Sequence, residues 1–158
     1  MKLEKELGLK KGIQVREHEA LLNIYFTGDI LKKRARVFFK DHGITDVQFN
    51  LMEILYHQAD DGIGLTQREL SRMLLVNRSN ITSLIDRMEK AKLVTRFDVP
   101  GDRRYNAIRL TPRGKEVLLN VEDSYMEEVK RIIGALSKSE SEQLVKSLEK
   151  IRQGLRKK

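Results

Sequence analysis

The sequence predicts a mainly α-helical fold with one small two-stranded β-hairpin. Apolar residues recur at intervals of three, four or seven through most of the chain. Helix-start pairs of the form Thr/Ser-x-x-Gln/Glu stand at Thr45, Thr66 and Ser137. Only residues 93–110 are dominated by β-formers, and they flank a Pro-Gly turn. Those periods and punctuation marks separate helix from strand.

Composition bounds the answer. The chain has 158 residues, 40% of them apolar, with two prolines and no cysteine. One domain is expected, large enough to bury ~70% of the surface its unfolded chain exposes. The absence of cysteine excludes disulfides, Cys-zinc sites and thiol nucleophiles. Aromatic residues are 6% of the chain, with no Trp, which argues against a stacking platform for single strands. Met1-Lys2-Leu3-Glu4-Lys5-Glu6 mixes charges without an apolar core, and no apolar run approaches ~18 residues, so a cytoplasmic protein without signal peptide or membrane span is expected. A formal charge of +8 suggests a polyanionic partner, with surface solubility as the alternative meaning.

From Ile13 to about Lys40, Leu21, Ile24, Leu31 and Phe38 mark a long amphipathic helix. Lys32, Lys33, Arg34, Arg36 and Lys40 form its basic part, a solvated face or a surface near a nucleic-acid backbone. Asp41-His42-Gly43 ends it. Thr45 and Gln48 then form a capping box, with Ile44 and Phe49 as hydrophobic staple. The helix that follows is apolar nearly all round, which places it centrally. Asp60-Asp61-Gly62 breaks it.

Thr66 and Glu69 repeat the capping box, and Leu65 staples to Leu70. A short helix follows with Leu70, Met73 and Leu74 as its stripe. Leu75-Val76 is a turn, and Asn77 caps a second helix. Ile81, Leu84, Ile85 and Met88 form the buried face of that helix. Arg78, Ser79, Asn80, Thr82, Ser83, Asp86 and Arg87 form the other. Two capped helices joined by a tight turn make a helix-turn-helix. Small polar and cationic groups near the start of the second helix suit a major groove, where Asn pairs with adenine and Arg with guanine or phosphate. An ordinary solvated face is richer in Glu and Lys.

The hairpin comes directly after this pair. Its tip carries Asp102, Arg103 and Arg104, and a hairpin in that place is a wing. Arg104 is assigned to the minor groove and Arg103 to phosphate; Asp102 orients Arg104 through a charge-assisted pair. A plain surface ion pair is the alternative. Thr111 and Pro112 start a further helix, with Pro where its missing N–H costs nothing. It is acidic: Glu116, Glu122, Asp123, Glu127 and Glu128 outnumber Arg113, Lys115, Lys130 and Arg131. The last helix begins at the Ser137–Glu140 capping box and carries Leu144, Leu148, Ile151 and Leu155 at spacings of 4, 3 and 4, a coiled-coil seam.

This order of elements resembles the MarR family of transcriptional regulators over nearly the whole chain. The most specific element is Asp102-Arg103-Arg104-x-x-x-x-Arg109-Leu110-Thr111-x-x-Gly114, similar to the family's wing signature. The second is Leu70-x-x-x-Leu74-x-Val76-Asn77-Arg78-Ser79-x-Ile81-Thr82-x-Leu84-Ile85-Asp86-Arg87-Met88-Glu89, similar to its helix-turn-helix. Two departures stand at Leu75 and Lys92, where the family often has Gly. A left-handed backbone there would cost roughly 1 kcal/mol. Ser71 replaces a common Ala.

The resemblance implies a winged helix-turn-helix over residues 45–111 and a helical dimerisation region from residues 1–44 and 112–158, where terminal helices of two chains interlock. It implies a homodimeric DNA-binding regulator that reads a pseudo-palindromic double-stranded operator. It also implies a repressor released by a small aromatic or anionic effector. Phe26, Phe49, Met52 and Tyr56 are the candidate lining of the effector site, with plain core as their alternative role.

Other classes fit less well. No Gly-rich phosphate loop, nucleophile elbow or His-x-x-x-His is present, so an enzyme is not expected, nor a cofactor. A metal-responsive regulator of the same fold would need His18 or His42 with distant carboxylates, and no metal site is expected. A winged-helix module that binds protein rather than DNA is opposed by the basic reading face and the Arg-tipped hairpin.

Overall fold

The computed structural model describes residues 2–59, 64–74, 78–99 and 102–156. The helices are α1 (Leu3–Glu6), α2 (Arg16–Asp41), α3 (Asp46–Gln58), α4 (Gln67–Leu74), α5 (Arg78–Lys90), α6 (Pro112–Ile133) and α7 (Lys138–Leu155). The strands are β1 (Leu65–Thr66), β2 (Val94–Val99) and β3 (Asp102–Leu110). The short α1 lies before the long first helix, in residues where the periodicity predicts none.

The sheet has three strands in the order β1-β3-β2, all antiparallel, rather than the two expected of a hairpin. Leu65 and Thr66, read from the sequence as a helix start, also pair with Ile108 and Ala107 of β3. Both roles are compatible: the extended backbone of a cap residue is strand backbone. Gly64, at φ 74°, brings the chain against β3 so closely that a Cβ there would meet the Ile108 carbonyl oxygen at 2.5 Å.

The core sits where α3, α4, α5 and the sheet meet. Leu51, Met52, Leu70, Ile81, Ile85, Met88 and Ile108 are all fully buried. Aromatic rings continue it toward α2 and α6: Phe49 lies 4.9 Å from Phe39 and 4.7 Å from Tyr125, centroid to centroid. Offset and tilted ring pairs at these distances add to the burial energy. Thr45–Gln48 and Ser137–Glu140 form the expected capping boxes. No helix among the described residues is long and apolar enough to cross a membrane.

The last helix differs from the rest. α7 buries none of its residues against its own chain, and Leu155 is 75% exposed. α2 also leaves Leu21, Ile24, Tyr25, Ile30 and Val37 exposed.

Candidate nucleic-acid interface

The candidate reading face is fixed from behind. Thr66 donates its backbone N–H to Glu69 Oε2 at 2.8 Å, and Glu69 returns its own N–H to Thr66 Oγ1 at 3.3 Å, so α4 starts at a defined angle. Those bonds from the Thr66 backbone and hydroxyl hold the Glu69 carboxyl below its ordinary pKa. On α5, Ile81, Leu84, Ile85 and Met88 are buried, and the helix can therefore present only its other side. Asn80, Thr82, Ser83, Asp86 and Arg87 are exposed there. The first turn of α5 carries no acid, which leaves its positive dipole end uncompensated. Arg87 lies along its own helix, Nε donating to the Ser83 carbonyl oxygen at 3.2 Å. Arg78 and Ser79 form the first turn of α5. Their side chains, and Asn77, lie outside the described residues.

β2 and β3 form the wing, paired from Val94 with Leu110 to Val99 with Asp102, with a register shift between Asp98 and Val99. Asp102, Arg103 and Arg104 open β3. Their side chains lie outside the described residues, and so does the expected Asp102–Arg104 pair. Pro100 and Gly101 lie outside them as well.

The sequence reading missed Arg96, which joins the wing to the reading helix. Arg96 Nη2 meets Asp86 Oδ1 at 2.5 Å and Nη1 meets Glu89 Oε2 at 2.5 Å, while the Arg96 backbone N–H donates to Glu89 Oε1 at 3.1 Å. Burial acts against the Arg96 charge, but the two carboxylates outweigh it and raise its pKa. One guanidinium therefore offsets part of the charge of the two acids, Asp86 and Glu89, that α5 carries near its basic face. The available signal was Asp86 and Glu89 one turn apart on a helix that precedes an Arg-bearing strand.

The joint between wing and α6 gives the Leu110-Thr111-x-x-Gly114 motif its physical meaning. Thr111 donates its N–H to the Leu93 carbonyl oxygen at 3.0 Å and its hydroxyl to the Lys92 carbonyl oxygen at 2.6 Å. The Thr111 hydroxyl oxygen also caps α6 by accepting from the Gly114 N–H at 2.9 Å. A Cβ on Gly114 would stand 2.0 Å from the Leu93 carbonyl oxygen. Only glycine allows that approach. Lys92, just before, has φ 60°, the left-handed backbone that favours glycine.

The MarR family profile matches residues 42–104, from the end of α2 to the wing. YsmB of Bacillus subtilis (strain 168), an uncharacterized HTH-type transcriptional regulator, is 33% identical over 129 residues, which span 82% of this chain and 86% of that protein. This chain belongs to the MarR family. Among solved structures, AbsC, a MarR family transcriptional regulator from Streptomyces coelicolor, superposes with a TM-score of 0.84 at 23% identity, covering 94% of this chain and 100% of that one. MepR of S. aureus in complex with DNA superposes with a TM-score of 0.77 at 25% identity, covering 84% of this chain and 95% of that one. The fold of this MarR-family transcriptional regulator is thus a winged helix-turn-helix carried on long terminal helices.

The four candidate effector-lining residues of the regulator do not share one surface. Phe49 and Met52 are fully buried in the core, Tyr56 is exposed at the end of α3, and Phe26 is half-buried on α2. An apolar cavity of about 270 Å³ opens elsewhere, between α2 and α6, lined by Leu31, Ala35, Phe38, Tyr125, Val129 and Ile132. Arg34 and Glu128 stand at it, ion-paired across the two helices. Glu128, only 8% exposed, also pairs with Arg131. Hydrogen bonds from Arg34 first, then Arg131, hold its carboxyl below the ordinary range.

His18 and His42, the histidines considered for a metal, join no group of potential ligands among the described residues. The His42 ring instead contacts the Phe38 carbonyl oxygen through Nδ1 at 2.9 Å. The third histidine, His57, does have carboxylate neighbours, Glu53 and Glu122. Burial raises the pKa of Glu53; the nearby His57 opposes that rise and the charge of Glu122 adds to it.

Proposed function

We propose that this MarR-family regulator is a homodimer that binds a pseudo-palindromic double-stranded operator and acts as a repressor released by a small ligand. The observation that carries the DNA-binding part is the division of α5: one side wholly apolar and buried, the other exposed and built from Asn80, Thr82, Ser83 and Arg87. In this reading Arg78, Ser79, Asn80, Thr82 and Ser83 approach base edges, and Arg87 reaches phosphate once it leaves its own helix. Arg104 enters the minor groove, Arg103 holds phosphate, and Asp102 orients Arg104. Arg68 and Arg72, exposed one turn apart on α4, stand where the first helix of such a pair crosses the backbone. The relative MepR, solved with DNA in the same fold, supports this reading.

The dimer part rests on α7. A helix of 18 residues with no buried residue on its own chain and an apolar seam needs a second surface. The exposed stripe of α2 supplies it from a partner, so residues 1–44 and 112–158 serve dimerisation. The effector part rests on the cavity between α2 and α6. An apolar cavity of about 150 Å³ already admits benzene, so this one suits a one-ring aromatic ligand.

Selection of bound sites from random duplex DNA, followed by salt-graded binding to the selected site, tests the whole reading. A two-fold symmetric consensus and steep loss of affinity with salt are expected. Failure to enrich any sequence would overturn it.

A further inference from the structure

We propose that Glu53 and His57 of α3 and Glu122 of α6 form a binding site for a zinc-class divalent cation that ties the two helices together. His57 Nε2 lies 3.8 Å from Glu53 Oε2 and 3.7 Å from Glu122 Oε1, and the ligand atoms of all three residues fall within 4.8 Å of one another. Ligand atoms about a tetrahedral ion with bonds of ~2.0–2.2 Å stand roughly 3.3–3.6 Å apart, so each His57–carboxylate gap needs to close by only a few tenths of an ångström and the two carboxylates, within 4.8 Å, by about 1 Å at most, for three ligands of the shell. Glu53 and His57 are one turn apart on one face of α3, and Glu122 meets them from a helix far along the sequence.

A second observation concerns the same carboxylate. Glu53 Oε1 is buried and has no hydrogen-bond partner. A carboxylate oxygen withdrawn from water and left unsatisfied is costly, and a cation against the same carboxylate offsets that cost. One imidazole and two carboxylates also select the ion. Calcium asks for six to eight oxygens, and magnesium keeps its waters and seldom takes imidazole. Zinc accepts mixed His and carboxylate ligands, with solvent in the remaining position. The site is separate from the reading face of α5 and does not depend on DNA being the partner.

Zinc binding to the untagged full-length protein decides the matter, measured by competition with a chromophoric chelator. One Zn²⁺ per chain is expected, with affinity lowered at least tenfold in His57→Ala and in Glu122→Gln. The double variant His18→Ala/His42→Ala is expected to bind as the unaltered protein does. The melting temperature should rise on adding Zn²⁺ and stay flat in His57→Ala. His57 is half exposed and Glu122→Gln preserves shape, so both variants keep the fold; circular dichroism checks this. Equal zinc uptake by His57→Ala and the unaltered protein would overturn the proposal. So would loss of binding in the His18/His42 double variant, or a thermal shift from Mg²⁺ equal to that from Zn²⁺.

Discussion

Lys92 and Gly43 occupy the same place in the same helix-ending motif, with φ 60° and 70°. After α5, the Leu93 N–H donates to the Met88 carbonyl oxygen and the Lys92 N–H to that of Glu89, both at 2.9 Å. After α2, the Ile44 N–H donates to the Phe39 carbonyl oxygen and the Gly43 N–H to that of Lys40, both at 3.0 Å. This is the double bond pattern of the Schellman motif, whose left-handed residue is usually glycine. One copy has its glycine and the other carries the steric cost of a Cβ.

Lys92→Gly should therefore stabilise the protein by about 0.5–1 kcal/mol, the relief of left-handed strain less the added chain entropy of glycine. Gly43→Ala should destabilise by a similar amount. Chemical denaturation of the two variants checks the opposite signs, and equal signs would contradict this account.

Gly114→Ala drives a methyl into the Leu93 carbonyl at the wing–α6 joint. The backbone must move, because a carbonyl has no rotamer to change. A loss of about 1–3 kcal/mol or more is expected, read as a lower denaturation midpoint. Gly28→Ala, where nothing lies within 4 Å of the added carbon, should be stabilising by ~1 kcal/mol as a change within a helix.

Arg96→Met keeps the stem of the side chain and removes its bonds to Asp86 and Glu89. Charge-assisted bonds of this kind contribute ~1.5–3 kcal/mol, reduced here by the half-exposed setting of both carboxylates, so a loss of about 1–2 kcal/mol is expected. Operator affinity should fall further than stability alone accounts for, because two acids on α5 are released beside DNA. Binding at two salt concentrations separates the effects: the freed negative charges weaken binding most at low salt.

Acid should act through Glu128. Hydrogen bonds from Arg34 and Arg131 depress its folded-state pKa, so the stability it confers is fully present above the unfolded pKa and is lost as pH falls through the folded value. The difference in melting temperature between the unaltered protein and Glu128→Gln should be constant from neutral pH to about 5 and shrink below about 4.3. A difference that grows on acidification would reverse the sign assigned here.

Leu148→Asp with Ile151→Asp tests the seam of α7. Each side chain buries apolar area worth about 1.5–3 kcal/mol when covered. Sedimentation of the double variant should show monomer or unfolded chain, and the unaltered protein a dimer at micromolar concentration. An unaltered protein that stays monomeric there would refute the assembly.

Local chemistry makes much of this molecule legible in its sequence. Capping boxes at Thr45, Thr66 and Ser137, the Thr111-Pro112 start and the buried face of α5 each depend on residues within a few positions of one another. What escapes is non-local. Two residues, Leu65 and Thr66, are too short a run to signal a strand, and their partner lies some forty positions on, at Ala107 and Ile108. Arg96 is an ordinary strand residue until α5 lies beside it. Phe49 is closed over by Phe39 and Tyr125, rings from helices distant in the sequence. Glu53 and His57 show as one turn of α3, but Glu122 comes to them only through the packing of α6.

The bonds from Thr111 to Lys92 and Leu93 leave no hinge between the wing and α6. α6 has 22 residues, a rod of roughly 33 Å. Rotation of that rod by ~5° about its far end carries the near end through ~3 Å, close to the ~3.4 Å rise of one nucleotide step in duplex DNA. Because Thr111 bonds the backbone carbonyls of both Lys92 and Leu93, the wing is expected to follow such a rotation. A rotation of ~5° at the far end of α6 and a shift of ~3 Å at the wing are then one motion, measured at the two ends of a lever.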